Sequence, residues 1–187
     1  MKYQELEINY QLARKEIEKI IARSMTCDVI NTIHDLVVGP EGQHGYRTGW
    51  GGQTVYNLNR RPVYISPDSA VHSMEVEVRN LWDWIAPKEL ILPVHVCCAR
   101  LHWGIVKIHP FVDGNGRTAR LVVVLMLRMY GYDDSLCRNL ESYFEAHREE
   151  YFNALDDGDF FSNGFDKVSG QWVDFIQNAI IKCENAL

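Results

Sequence analysis

Residues 3–24 place Leu6, Tyr10, Ala13, Ile17, Ile20 and Ile21 at helical intervals with charges between them, which predicts an amphipathic N-terminal helix. Val29, Ile30, Ile33, Leu36 and Val37 predict a second helix over 27–38, ended by Gly39-Pro40. The pattern then breaks. Six of the thirteen glycines fall between Gly39 and Gly52, so this stretch connects elements rather than packing as one. Thr54 to Leu58 and Pro62 to Ile65 are β-prone, with turn-compatible residues from Asn57 to Arg61, and predict a small β-hairpin.

Helical spacing returns after Ser66-Pro67-Asp68. A helix over 70–85 would turn Val71, Met74, Val78, Leu81 and Trp82 inward and close at Pro87. The next, over 89–107, is apolar on most sides (Ile91, Leu92, Val94, Val96, Ala99, Leu101, Ile105), with Pro93 in its first turn. Leu121 to Leu127 form the equally apolar centre of a helix over 118–130, for which Gly131 is the expected C-cap. Helices over 140–155 and 167–184 follow, separated by a polar loop from Asp156 to Gly164. Trp172, Phe175, Ile176, Ala179, Ile180 and Cys183 share one side of the last helix. Helices dominate, so the expected class is all-α with one hairpin.

Composition narrows the picture. A chain of 187 residues suits one well-buried domain, and 47% hydrophobic with 24% charged residues is typical of a soluble globular protein. A net charge of −6 argues against a nucleic-acid binder working through general basicity. Five scattered cysteines (Cys27, Cys97, Cys98, Cys137, Cys183) suit free thiols in a reducing compartment. The first residues carry no apolar signal-peptide core, and no apolar run approaches a membrane span. The expectation is a cytoplasmic protein with no membrane or nucleic-acid partner, although secretion systems that read non-cleaved signals leave no such mark.

Chemistry concentrates in His109-Pro-Phe-Val-Asp-Gly-Asn-Gly-Arg-Thr-Ala-Arg120. Gly114 and Gly116 flank Asn115, so the backbone can turn sharply and its N–H groups can converge. A bent loop feeding a helix N-terminus is an anion cradle, because free N–H groups and the helix dipole point the same way. Arg117 and Arg120 are three apart and share a helical face beside it. Asp113 is a hard oxygen ligand suited to the magnesium that accompanies a polyphosphate. His109 is a natural proton acceptor for an incoming hydroxyl. These parts describe a phosphate-transfer site. Elsewhere, His95, Cys98 and His102 could share a helix face and ligate zinc. Closed zinc sites usually draw ligands from separated turns, however, and this helix reads as core.

The run from 109 to 120 resembles the Fic family signature, HxFx[D/E]GNGRxxR, at every specified position: His109, Phe111, Asp113, Gly114, Asn115, Gly116, Arg117 and Arg120. The resemblance implies a single Fic domain over 1–187. Its core would run from about 33 to 175, with an N-terminal helix over 3–24 and a C-terminal helix over 167–184. It implies the Fic fold, a helical core carrying a β-hairpin flap. It also implies a protein adenylyltransferase, which moves AMP from Mg-ATP to a Ser, Thr or Tyr hydroxyl of a target protein. His109 would then be catalytic and Asp113 the magnesium ligand. Gly114, Asn115, Gly116, Arg117 and Arg120 would bind the nucleotide. Related signatures support other nucleotidyl or phosphate transfers or removal of AMP, and a nucleotide-binding interaction module without turnover is a further alternative.

The flap, 45–66, would clamp the target by strand addition. Tyr46-Arg47 would introduce it, which is similar to the Gly-x-Tyr-Arg-like run before the flap of Fic proteins, so Arg47 is either a nucleotide contact or a solvated loop residue. Fic proteins are commonly restrained by a Ser/Thr-x-x-x-Glu-Gly/Asn helix whose glutamate pairs with the second signature arginine, here Arg120. The chain holds two partial copies, Val37 to Glu41-Gly42 and Ile180 to Glu184-Asn185. Gly39-Pro40 breaks the first. Either Glu184 restrains the site weakly, or a separate small antitoxin protein supplies the glutamate. The sequence leaves the target, the nucleotide preference and any homo-oligomer open.

Overall fold

A computed structural model describes residues 3–20, 27–48, 74–85, 91–156 and 168–186. The proposed hairpin at 54–65, nearly all of the flap and most of the polar loop after Asp156 lie outside them. Among the described residues the regular structure is helical throughout.

Two helices carry the core. The first, α4 (Val94–Ile108), buries Cys97, Cys98, Ala99, Leu101, Trp103, Ile105 and Ile108. The second, α5 (Asn115–Met129), buries every residue from Leu121 to Leu127. Three consecutive valines are only moderate helix formers, because branching at Cβ restricts χ1. Burial overrides that preference, each large apolar side chain contributing about 1.5–3 kcal/mol when removed from water. Gly104 lets α3 (Met74–Ile85) approach α4, since a Cβ there would lie 2.5 Å from a Leu81 methyl. On the other side α1 (Tyr3–Ile20) and α2 (Cys27–Val38) pack on each other and on α5. The remaining helices, α6 (Asp134–Ala146), α7 (Arg148–Asp156) and α8 (Gly170–Glu184), cover the opposite flank. Trp172 ties α8 to α4, its indole N–H donating to the Ala99 carbonyl at 2.8 Å.

Several boundaries differ from the expectation. Pro93 is the N-cap of α4, not part of its first turn, and Ile91 lies before the helix and is exposed. α5 begins three residues earlier than predicted, so Asn115, Gly116 and Arg117 form its first turn. At its other end Gly131 adopts φ +86° just past the C-cap, Tyr130. Gly131 N–H bonds Arg128 O at 3.0 Å and Tyr132 N–H bonds Leu127 O at 3.1 Å, the paired bonds of a Schellman ending. The single helix expected over 140–155 is two helices. Asp133 starts the first early by capping it, its carboxylate accepting from Leu136 N–H at 2.8 Å. The backbone leaves helical geometry at His147, φ −109° and ψ 36°.

Candidate functional site

The loop between α4 and α5 is built by three local devices. α4 ends on His109 in the left-handed region, φ 52° and ψ 56°, which makes it the one non-glycine residue with positive φ among the described residues. Such backbone is costly and persists where surrounding contacts impose it. Here the contacts come from Arg47. Its side chain donates from Nε to His109 O and from Nη2 to Ile108 O at 3.1 Å, and its backbone N–H donates to Pro110 O at 2.8 Å. One residue therefore holds three consecutive carbonyls at the C-terminal end of α4, where a cation also complements the helix dipole.

Asn115 closes the loop from the α5 side. Its amide oxygen accepts from Phe111 N–H at 2.9 Å and its amide nitrogen donates to Phe111 O at 2.8 Å. Gly114, the N-cap of α5, has φ +80°, and a Cβ there would meet Val38 at 3.2 Å and Val37 at 3.4 Å. Phe111 itself is completely buried between two rings. His34 stacks on one face with centroids 3.7 Å apart and planes 8° apart, and Tyr46 stacks on the other at 5.6 Å.

Polar groups converge on the N-terminal turn of α5. The first N–H groups of any helix lack intrahelical partners, and Asn115, Gly116 and Arg117 occupy those positions. Asp113 leaves its side chain 70% exposed, with Oδ1 accepting from Gly114 N–H at 2.7 Å and Oδ2 from Arg117 Nη2 at 3.1 Å. Arg117 also donates to Val37 O at 3.3 Å. Arg120 is more enclosed: it donates to the Tyr10 and Tyr151 hydroxyls and lies 6.0 Å from the Tyr10 ring centroid. The Tyr10 hydroxyl donates in turn to Glu141 Oε1 at 2.7 Å, and the Tyr151 hydroxyl lies 2.9 Å from His102 Nε2.

The electrostatics favour a neutral imidazole at His109. Burial pushes its pKa down to about 4 and the Arg47 charge pushes the same way, while a hydrogen bond with the Val106 backbone and the Asp113 charge pull against them. A neutral ring with one nitrogen engaged keeps the other as a lone-pair acceptor.

The structure places His109 at the end of α4 and Asp113, Gly114, Gly116, Arg117 and Arg120 on the loop and the first turns of α5, and three placements differ from the expectation. Arg47 is 3% exposed and its guanidinium is bound to backbone carbonyls, so it is neither a solvated loop residue nor displayed to a nucleotide. The Asn115 amide oxygen and nitrogen are each bonded to the Phe111 backbone, which turns the side chain onto the loop and leaves the Asn115 backbone N–H for the cradle. Glu184 lies beside Tyr132 and Pro93, past the far end of α5 from Arg120. The ten residues from 120 to 130 separate those ends by about 15 Å at the usual helical rise. In the zinc alternative, His102 is engaged by Tyr151 and the buried Cys98 thiol is pushed well above its usual pKa, away from the thiolate a metal requires.

Sequence reading passed over His34, Tyr10, Glu141 and Tyr151. His34 left a signal, since it interrupts the apolar face of α2 among Ile30, Ile33 and Val37. Tyr10 and Tyr151 read as core, and nothing in the sequence pairs residue 10 with residue 141.

A model of the Fic/DOC family matches residues 24–127, more than half of the chain. The chain belongs to the Fic/DOC family. It is 31% identical over 144 residues to the protein adenylyltransferase Fic of Nematostella vectensis, covering 74% of this chain and 30% of that protein. With the protein adenylyltransferase fic-1 of Caenorhabditis elegans it shares 28% identity over 118 residues, 59% of this chain and 23% of the relative. The chain thus spans under a third of the length of these curated relatives. The crystal structure of a Fic family protein from Desulfovibrio desulfuricans G20 superposes with a TM-score of 0.71 at 21% identity, covering 97% of this chain and 52% of that one. A Fic-domain-containing signalling protein from Bacteroides thetaiotaomicron gives 0.65 at 21% identity over 96% of this chain and 68% of its own. These structures establish the all-α Fic fold. Among the described residues, no helix is long and apolar enough to cross a membrane.

Proposed function

We propose that this chain is a protein adenylyltransferase that moves AMP from ATP to a Ser, Thr or Tyr hydroxyl of a target protein. The observation that carries the reading is a neutral His109 in left-handed backbone at one end of a short loop whose other end is the first turn of α5, with its N–H groups and Arg117. The residues fit magnesium, because the exposed Asp113 carboxylate uses one lone pair on each oxygen for Gly114 and Arg117 and retains others. Bound there, the ion would supply neutralisation of polyphosphate charge.

Every other step falls to the chain's own groups. The target hydroxyl attacks the α-phosphorus, the bond to the bridging oxygen breaks, and pyrophosphate leaves. His109 takes the hydroxyl proton, an effect worth about a hundred- to ten-thousand-fold in rate. The N–H groups of Asn115 and Gly116 would face the charge on the transferring phosphoryl group, where a preorganised donor is worth about 3–4 kcal/mol, while Gly114 N–H stays on the Asp113 carboxylate and gives the backbone its turn. Arg117 and Arg120 hold the outer phosphates through their forked donors. The target would add a strand along the flap, 45–66, and the reaction would take place in the cytoplasm. Because Glu184 sits at the other end of α5, restraint is assigned to a separate small antitoxin protein that brings an acidic side chain to Arg120.

Incubating the purified chain and a cell lysate with α-labelled ATP tests the activity. Labelled protein whose adduct has the mass of AMP on a hydroxyl supports it. A phosphate-mass adduct overturns it in favour of phosphate transfer, and a chain that labels nothing but releases AMP from an AMP-modified protein overturns it in favour of removal of AMP.

A further inference from the structure

His34 is fully buried on the side of α2 that faces the signature loop, where it touches Phe111 and Asp113 and lines the space beside Gly114. Its ring stacks on Phe111 at 3.7 Å, its Nε2 lies 3.1 Å from the Asp113 carbonyl oxygen, and its Cδ2 would lie 3.5 Å from a Cβ on Gly114. A carbonyl can only accept, so Nε2 carries the proton. Nδ1 then carries the lone pair; it makes no hydrogen bond and lies 3.6 Å from Asp35 Oδ1. Burial lowers the pKa of His34, in keeping with a neutral ring that donates from one nitrogen only.

The contact fixes the plane of the Asp113–Gly114 peptide. In a trans peptide the C=O and N–H point in opposite directions, so a carbonyl held against α2 turns the Gly114 N–H away from it. That N–H binds Asp113 Oδ1 at 2.7 Å, while Arg117 holds Oδ2. The orientation of the Asp113 carboxylate therefore depends on a peptide plane that His34 sets. Gly114 needs such an external hold, because glycine at φ +80° has little steric resistance to peptide rotation of its own.

We propose that His34 is a positioning residue for the transfer reaction, holding the Asp113–Gly114 peptide so that its N–H stays on Asp113 Oδ1 and the Asp113 carboxylate faces the nucleotide. The role rests on the adenylyltransferase reading of the same loop. His34 touches no substrate; it acts through the loop backbone.

The test compares His34→Phe, which keeps an aromatic ring on Phe111 and removes the donor, with His34→Gln, which restores an N–H donor at similar reach. Two readouts are taken: the ¹⁵N–¹H resonance and exchange rate of the Gly114 amide in the protein alone, and kcat and KM for labelled AMP transfer. His34→Phe is expected to move the Gly114 resonance and lower kcat about tenfold or more, with KM for ATP within about threefold. His34→Gln is expected to return both towards wild type. If His34→Phe does not fold, His34→Met, of similar length to Gln and without a donor, takes its place. A Gly114 amide unchanged by loss of the donor, or a Gln variant no better than the donor-less one, overturns the proposal. Should the wild-type chain transfer nothing, the adenylyltransferase reading fails, and the Gly114 amide still decides whether His34 sets the peptide.

Discussion

The Tyr10 hydroxyl donates a 2.7 Å hydrogen bond to Glu141 Oε1 across 131 residues of chain, and the same hydroxyl accepts from Arg120. Arg14 completes the group at 3.2 Å from Glu141 Oε2. The N-terminal helix is thereby joined to α6 through the ionic neighbourhood of a signature arginine. Tyr10→Phe keeps the ring and deletes the hydroxyl, leaving a mostly buried carboxylate with one donor fewer. Hydrogen bonds to charged groups contribute about 1.5–3 kcal/mol, so urea unfolding of Tyr10→Phe should show a loss of that size. A variant as stable as wild type would mean that water replaces the hydroxyl at no cost.

Arg47 gives a second prediction. Arg47→Ala removes donors from two carbonyls at the end of α4 and releases the left-handed backbone of His109. Both losses act on one short segment, and a loss of about 2–4 kcal/mol is expected. Arg47→Lys keeps the charge and loses the fork, so it should recover only part of the stability. If AMP transfer falls in Arg47→Ala while ATP affinity measured by calorimetry is unchanged, the residue acts on His109 as described. A large loss of ATP affinity with unchanged stability would instead make it a nucleotide contact.

The signature loop was legible in the sequence because its chemistry is local: His109 to Arg120 span twelve residues, and the glycines announce the turn. The all-α core was legible too, since Val78, Leu81, Leu101 and Ile105 follow one-face periodicity and are buried. What was not legible lies at long sequence separation. The three carbonyls held by Arg47 and the peptide held by His34 are 61 to 79 residues away from their donors. Polar side chains that bind backbone carbonyls leave no residue-type code at the other end. The break at His147 was hidden for another reason. Tyr143, Phe144, Tyr151 and Leu155 keep a helix-like apolar rhythm through it, because Tyr143–His147 stacking at 3.9 Å and the aromatic cluster with Trp172 and Phe175 pack both helices onto α8.

Two buried histidines, His34 and His102, and the partly buried His109 predict acid sensitivity. Burial lowers the pKa of His102 to about 3, with Arg120 pushing the same way; His109 lies at about 4, and His34 is also lowered. Unfolded histidine titrates near 6.5, so between these values the unfolded chain binds more protons than the folded one. Their contribution to stability is therefore complete above about pH 6.5 and is lost as pH falls towards 4, with a slope of at most about 1.4 kcal/mol per pH unit for each ring. Urea unfolding between pH 6.5 and 5, above the range of ordinary carboxylates, should show the decline. His102→Gln, which can still pair with Tyr151, should make it shallower. A stability that is flat across that interval would contradict the neutral burial of these rings.

Arg120 and Glu184 supply the last prediction. Arg120 binds two enclosed tyrosine hydroxyls, so Arg120→Ala should both weaken ATP binding and cost about 1–3 kcal/mol of stability from donors withdrawn from buried oxygens. Glu184 offers the opposite case. It stands in the last turn of α8, exposed, near Tyr132 and Pro93 where α5 has already ended. For its carboxylate to reach Arg120 it would have to travel the length of α5, about 15 Å, while Trp172, Phe175, Ile176 and Ala179 hold α8 in the core. Any electrostatic influence over that distance exceeds a Debye length of about 8 Å at physiological salt. Glu184→Gln should therefore leave self-modification and ATP affinity within about twofold of wild type, less than the tenfold that corresponds to about 1.4 kcal/mol. A clear rise in both would show that the C-terminal helix can leave this position and restrain the site, and would remove the need for a separate inhibitory protein.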